Sequence, residues 1–170
     1  MQLRLLDKED AIELRALRLE ALRDSPAAFS ADYEASARES VSDLSQRIQN
    51  SNGNFIVGVF DHDALVGMGG LYRVSGVKLL HKAVVWGLYV TAECRGAGAG
   101  RRILVELIRR AREAGDIRQL NISVVVGNDT ARDLYLSCGF VPFGREVRAM
   151  QVDRQFYDED HLALKLIQSP

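Results

Sequence analysis

The spacing of apolar and polar residues changes several times along the chain, and each spacing predicts an element. Leu3 and Leu5 alternate about Arg4, as in a short first strand. Asp7, with Asp10 three residues on, reads as an N-cap, and Ile12, Leu14, Leu17, Leu19 and Leu22 form an apolar stripe behind it. That helix is predicted to stop before Pro26, because the residue preceding a proline disfavours the α region. Residues 29–50 read as helical and polar, ending at Asn52-Gly53. Phe55 to Phe60 is a continuous apolar run, the pattern of a strand buried on both faces. Asp61-His62-Asp63 reads as a turn, and Ala64–Val74 and Lys78–Thr91 as two further strands of an antiparallel meander.

After Thr91 helical periods return. Residues 98–115 carry Ile103, Leu104, Leu107, Ile108 and Ala111 on one face and arginines elsewhere, with Gly115 as the stop. Leu120 to Val126 reads as a strand, and Asn128 to Ser137 as a short helix closed by Cys138-Gly139. Phe140–Val147 and Leu162–Ile167 complete the sheet, with residues 148–161 between them as a loop. A meander followed by a strand–helix–strand unit predicts an α+β fold with helices on both faces of one sheet. No repeat, low-complexity tract or linker interrupts it, so residues 1–170 read as a single domain.

Composition narrows the classes. The chain has 170 residues, 47% apolar and 26% charged, with a formal net charge of −1. The near-neutral balance argues against a general nucleic-acid binder. No uncharged apolar run approaches the ~18 residues that a spanning helix needs, and the first residues carry charges where a leader would be apolar. The two cysteines, Cys94 and Cys138, lack metal-ligand spacing, so no metal is expected. A cytoplasmic protein that uses a diffusible cofactor fits these features.

The segment with the most chemistry is Val84 to Leu107. An apolar strand runs into Arg95-Gly96-Ala97-Gly98-Ala99-Gly100 and then into a helix. Such a turn aims several N–H groups at one point, and the helix N-terminus adds unpaired donors and partial positive charge. Arg95, Arg101 and Arg102 can add side-chain charge, which makes a pyrophosphate a natural ligand. A P-loop would need GxxxxGK and then Ser or Thr, but Arg101-Arg102 follow Gly100. A dinucleotide fingerprint would need glycine at 101 or 103, and neither is one.

The form that fits is Arg-x-x-Gly-x-Gly. Residues 95–100 resemble the acetyl-CoA signature of the GCN5-related N-acetyltransferase (GNAT) family. A second block, Asn128 to Phe140, is similar to that family's pattern of Asn, Ala, Leu-Tyr and Gly-Phe, held here by Asn128, Ala131, Leu134-Tyr135 and Gly139-Phe140. The resemblance covers nearly the whole order of elements. It implies a mostly antiparallel twisted sheet with a splayed parallel pair in its middle. It also implies acetyl-CoA as acetyl donor, bound by the main chain of Leu88, Tyr89 and Val90, by Arg95, Gly96, Ala97, Gly98, Ala99, Gly100 and Arg101, and by Asn128, Ala131 and Tyr135. By position, the Val90 N–H is the donor to the thioester carbonyl and Tyr135 stands beside the sulfur.

The expected reaction is acetyl transfer to a primary amine by direct attack in a ternary complex. The base is less determined. Ser123 stands where the branch acting on ribosomal-protein N-termini carries a glutamate, so Glu34 and Asp158 (with Glu159 beside it) are the candidates. A small-molecule amine (polyamine, amino acid or antibiotic-like amine) is the expected acceptor. The alternatives are a protein N-terminus or lysine and, from another class, a non-catalytic acyl-CoA sensor. Homodimers are frequent in that family, which brings the same expectation here. No nucleic-acid or membrane partner is expected.

Overall fold

The computed structural model describes residues 1–48, 50–51 and 53–166. Among them, seven strands form one sheet: β1 (Gln2–Leu5), β2 (Phe55–Asp61), β3 (Ala64–Arg73), β4 (Lys82–Val90), β5 (Gln119–Val125), β6 (Val141–Val152) and β7 (Gln155–Lys165). Their spatial order is β1-β2-β3-β4-β5-β7-β6. The described helices are α1 (Ala11–Asp24), α2 (Tyr33–Arg38), α3 (Val41–Arg47), α4 (Ala99–Glu113) and α5 (Asp129–Ser137). Neighbouring strands are antiparallel except β4 and β5, which run parallel in the middle of the sheet. This is the mixed sheet that the resemblance implied.

The sheet separates two cores. On one face α1 and α3 bring Leu14, Leu17 and Leu44 onto Ile56, Leu65 and Met68. On the other, α4 lays Ile103, Leu104, Leu107 and Ile108 against Val57, Leu71 and Leu120. Burying each such Ile or Leu contributes ~2 kcal/mol, so packing of this stripe rather than intrinsic propensity fixes α4. The stripe of α1 differs from expectation: Ile12 is 65% exposed, and the buried positions are Ala11, Leu14, Leu17, Ala21 and Leu22. Arg18 lies between Leu14 and Leu22 at helical spacing, on the covered side. Asp10 accepts from both Arg4 Nη atoms at 2.6 Å and from the Asp7 N–H at 2.8 Å, closing the capping box ahead of α1.

Residues 29–50 are not one helix. Glu39 and Ser40 are extended (ψ 127° and 155°), so α2 ends and α3 begins anew with Ser40 capping the Asp43 N–H at 3.1 Å. The expected stop at Asn52 lies outside the described residues, as does Ile167 at the end of the last expected strand. Residues 78–81 form turns rather than strand, and β4 starts at Lys82. The largest correction concerns residues 148–161. They are not a loop but most of a long hairpin, in which β6 runs to Val152 and β7 starts at Gln155. Asp153 and Arg154 both take positive φ (48° and 68°), the geometry of a tight hairpin turn.

One irregularity shapes the centre of the sheet. Met68 is opposite Tyr89 but Gly70 is opposite Trp86, so β4 carries one residue more than β3 at Gly87-Leu88. Gly87 takes φ 65°, which a side-chain-bearing residue adopts only under strain. The bulge reverses the alternation of the strand. Val85 packs into the α4 core, and Tyr89, four residues on, packs into the α1 core.

Candidate active site

The parallel pair opens just where the bulge begins. β4 and β5 are in register only over Lys82–Val84 and Gln119–Asn121, although the strands continue to Val90 and Val125. A cavity of about 310 Å³ occupies the gap. Arg18 and Ala21 of α1 and residues 28–31 close it on one face of the sheet. Asn128, Ala131 and Tyr135 of α5 line it from the other, with Leu88, Ser123 and Glu159 at the strands. The opening therefore runs through the sheet.

Main-chain groups face this opening. Thr91 donates its N–H to the Val66 carbonyl at 2.9 Å. Orientation alternates along the strand beyond the bulge, so Tyr89 also turns its amide to β3, while Val90 turns its own to the gap. On that side the Val90 carbonyl accepts from Arg95 Nε at 3.0 Å. Tyr89, expected among the main-chain donors, instead sends its hydroxyl to Glu20 at 3.0 Å and Asp24 at 3.3 Å. Burial, with Glu20 alongside, pushes its pKa up to about 12.

The glycine turn follows β4 in the chain. Gly96 and Gly98 take φ 79° and 77°, and a Cβ at either would meet no atom within 4 Å. Gly98 is the N-cap of α4 and no side chain caps the helix there. The first bond within the helix runs from the Arg102 N–H to the Gly98 carbonyl at 3.0 Å. Ahead of it stand the N–H groups of Ala99, Gly100 and Arg101, the donors that a helix start leaves over. The arginines of the turn hold protein neighbours. Arg95 bonds Asp24 at 2.7 Å and covers the Tyr89 ring at 5.4 Å, Arg101 bonds Ser137 Oγ at 2.8 Å, and Arg102 bonds the Met1 carbonyl at 3.2 Å. Anion recognition at this turn thus rests first on the main chain.

At the α5 side, the Asn128 carboxamide oxygen accepts the Ala131 N–H at 3.2 Å, which caps α5 and leaves the amide nitrogen facing the cavity that Asn128 lines. Tyr135 is buried, and burial pushes its pKa up to about 12. Its hydroxyl has no hydrogen-bond partner among the described residues, and no fully enclosed side-chain N or O among them lacks one. The hydroxyl therefore opens into the cavity, protonated.

The two expected bases do not reach it. Glu34 is exposed on α2, and Asp158 accepts the Arg148 N–H at 2.9 Å across the β6–β7 hairpin; neither lines the cavity. Their neighbour Glu159 does, two residues along β7 from His161, which is in register with Ser123. His161 itself contacts Glu146 at 3.2 Å. Arg18 was not among the expected site residues. The only trace of it in the sequence is a cation at a core-facing position of the α1 stripe.

The fold and site thus define a class: a seven-stranded α+β sheet opened at its one parallel pair and bordered by a glycine turn and an uncapped helix start. Comparisons with known proteins resolve the class. The model of the acetyltransferase (GNAT) family matches residues 16–140, and the chain belongs to that family. A search of curated proteins gave no match. Among solved structures, a GNAT-family acetyltransferase from Streptococcus pneumoniae superposes with a TM-score of 0.88 at 20% identity, covering 97% of this chain and 99% of that one. A ribosomal-protein-alanine N-acetyltransferase from Brucella melitensis gives 0.81 at 24% identity, covering 98% and 100%. The yncA protein of Salmonella typhimurium, solved with its cofactor acetyl-CoA, gives 0.82 at 19% identity, covering 100% and 96%.

Proposed function

We propose that the protein transfers an acetyl group from acetyl-CoA to the primary amine of a small molecule by direct attack in a ternary complex. The observation that carries this reading is the cavity that passes through the sheet between β4 and β5. It lies along β4, the strand that leads into the glycine turn and the free N–H groups of α4, and it holds charged side chains of its own. The residues fit the donor. The turn at Gly96 and Gly98 is clear of side chains, so a pyrophosphate can approach the N–H groups of α4. Val90 and Asn128 offer amide groups along the line of a pantetheine arm. The acetyl-CoA of the Salmonella neighbour supports the same assignment.

When bound, acetyl-CoA supplies the acetyl group as a thioester whose C–S bond is exchanged for a C–N bond at the amine, with CoA leaving as the thiol. The Val90 N–H, aimed into the gap, stabilises negative charge developing on a carbonyl oxygen there; one such donor contributes ~3 kcal/mol to lowering the barrier. Tyr135 donates a hydrogen bond into the cavity. Passing its proton outright to a sulfur of ordinary thiol acidity, ~8.5, would be uphill by ~5 kcal/mol, so it stabilises by hydrogen bonding and keeps its proton. An alkyl ammonium, with a pKa near ~10.4, must lose a proton before attack. Glu159, directly or through one water, is the carboxylate placed to take it.

Thermal unfolding with acetyl-CoA, and with ATP and NAD as controls, tests the donor. Acetyl-CoA at ~100 times its Kd adds ~2.7 kcal/mol and raises the midpoint by ~5–10 °C. The expected result is a shift with acetyl-CoA alone, followed by amine-dependent thiol release. No shift at millimolar acetyl-CoA would overturn the reading.

A further inference from the structure

Arg18 differs in its burial from the other described arginines whose guanidinium lacks a hydrogen bond or ion pair: Arg38, Arg112, Arg118, Arg148 and Arg154 are exposed. Arg4, Arg73, Arg95, Arg109 and Arg145 each grip a carboxylate, at Asp10, Asp116, Asp24, Glu106 and Asp160. Arg18 is half-buried on α1 and makes no hydrogen bond or ion pair with the described residues. What holds it is an aromatic face, with its guanidinium carbon 5.4 Å from the centroid of Trp86. Trp86 in turn lies tight across Gly70, where a Cβ would fall 2.2 Å from the ring. Burial lowers the Arg18 pKa from its ordinary value, yet a guanidinium stays charged at any physiological pH. No enclosed side-chain nitrogen among the described residues lacks a partner, so the Arg18 donors open into space.

That space is the acceptor end of the cavity, and Arg18 also borders an adjoining one of about 370 Å³. Glu159 lines the same 310 Å³ chamber from β7. Leu22, Phe29, Met68 and Trp86 give the same chamber an apolar wall. The room equals that of about ten water molecules.

We infer that Arg18, held on Trp86, is a specificity-determining residue that binds the carboxylate of the acceptor, and that the acceptor is a small zwitterion carrying both amine and carboxylate, such as an amino acid. The inference rests on the acetyltransferase reading. A planar fork of donors matches a carboxylate through two parallel bonds, and the ammonium is drawn to Glu159 before it loses its proton. The same cation repels polyamines and polycationic antibiotics, which would bring like charge to a half-buried arginine.

The test uses the full chain with saturating acetyl-CoA. The acceptor panel is the standard L-amino acids, each amine obtained by removing the carboxylate, spermidine, and an alanine-led tetrapeptide. Thiol release is expected to favour at least one amino acid over its decarboxylated amine by ~100-fold in kcat/KM, chiefly through KM. In Arg18→Gln that ratio collapses to within about threefold, and Arg18→Lys, which keeps the charge without the fork, falls between. Both variants are expected to keep the acetyl-CoA-induced thermal shift, which shows that they fold and bind the donor. Spermidine or the tetrapeptide as the best acceptor, no amino acid accepted, or an unchanged ratio in Arg18→Gln would overturn the inference while leaving the acetyltransferase reading intact. Loss of the acetyl-CoA shift in the unaltered chain would instead bring down the underlying reading.

Discussion

Tyr135 shows how one side chain's surroundings limit its chemistry. Its ring packs at 6.3 Å from Phe140, its hydroxyl opens into the cavity, and burial holds its proton up to about pKa 12. A group held there donates a hydrogen bond but is a poor acid. Tyr135→Phe is expected to lower kcat by ~10–100-fold, with the KM for acetyl-CoA within about threefold of the original. Steady-state kinetics of thiol release check this, and an unchanged kcat would remove Tyr135 from the chemistry. The residue was legible in the sequence because it sits inside a motif of many matching positions. Arg18 was not, because one arginine in an amphipathic helix is ordinary until the cavity beside it is seen. Of the two expected bases, Asp158 stands one residue from a carboxylate that does line the cavity, Glu159. With residues 148–161 read as a loop, Asp158 and Glu159 were equivalent, and only strand alternation sends Glu159 into the cavity and Asp158 back onto its own hairpin.

Among the elements, α4 was the most legible. Its stripe at Ile103, Leu104, Leu107, Ile108 and Ala111 is buried throughout, and its glycine turn stands where the sequence put it. The β6–β7 hairpin was the least legible. Its first stretch, Phe140–Val147, was read as a strand, but of residues 148–161 only Asp160 is buried, so no apolar face marks that stretch as a strand. β6 is held by its ladder to β7, which leaves no hydrophobic period to read. The splay of β4 was expected from the family resemblance alone, since in the residues themselves it depends on which residue of β3 stands opposite Gly87. The turn itself can be tested. Gly98 and Gly115 share φ 77°, so alanine at either costs ~1–2 kcal/mol of stability. Only at Gly98 does the added methyl also stand before the α4 donors. Gly98→Ala is therefore expected to weaken acetyl-CoA by at least ~10-fold, and Gly115→Ala to leave its affinity unchanged, as measured by calorimetric titration.

For the whole molecule, Tyr89 and Tyr135 couple both cores to pH. They lie in different cores, and both have pKa values pushed up to about 12. Unfolded, each titrates near ~10. A folded-state value above the unfolded one gives a contribution that is complete below pH ~10 and is lost as pH rises toward ~12. Urea unfolding midpoints are expected to hold steady up to pH ~9 and to fall between pH ~10 and ~12, with a shallower fall in Tyr89→Phe. The bulge at Gly87-Leu88 has a consequence of another kind. On the proposed reading, the opening beside it lets donor and acceptor come in from opposite faces of the sheet, and neither blocks the other. Spent CoA can linger while a fresh acceptor takes its seat, forming a complex with nothing left to transfer. Initial rates on the preferred amine are then expected to pass through a maximum and decline at high amine concentration, and added CoA is expected to bring that decline on earlier.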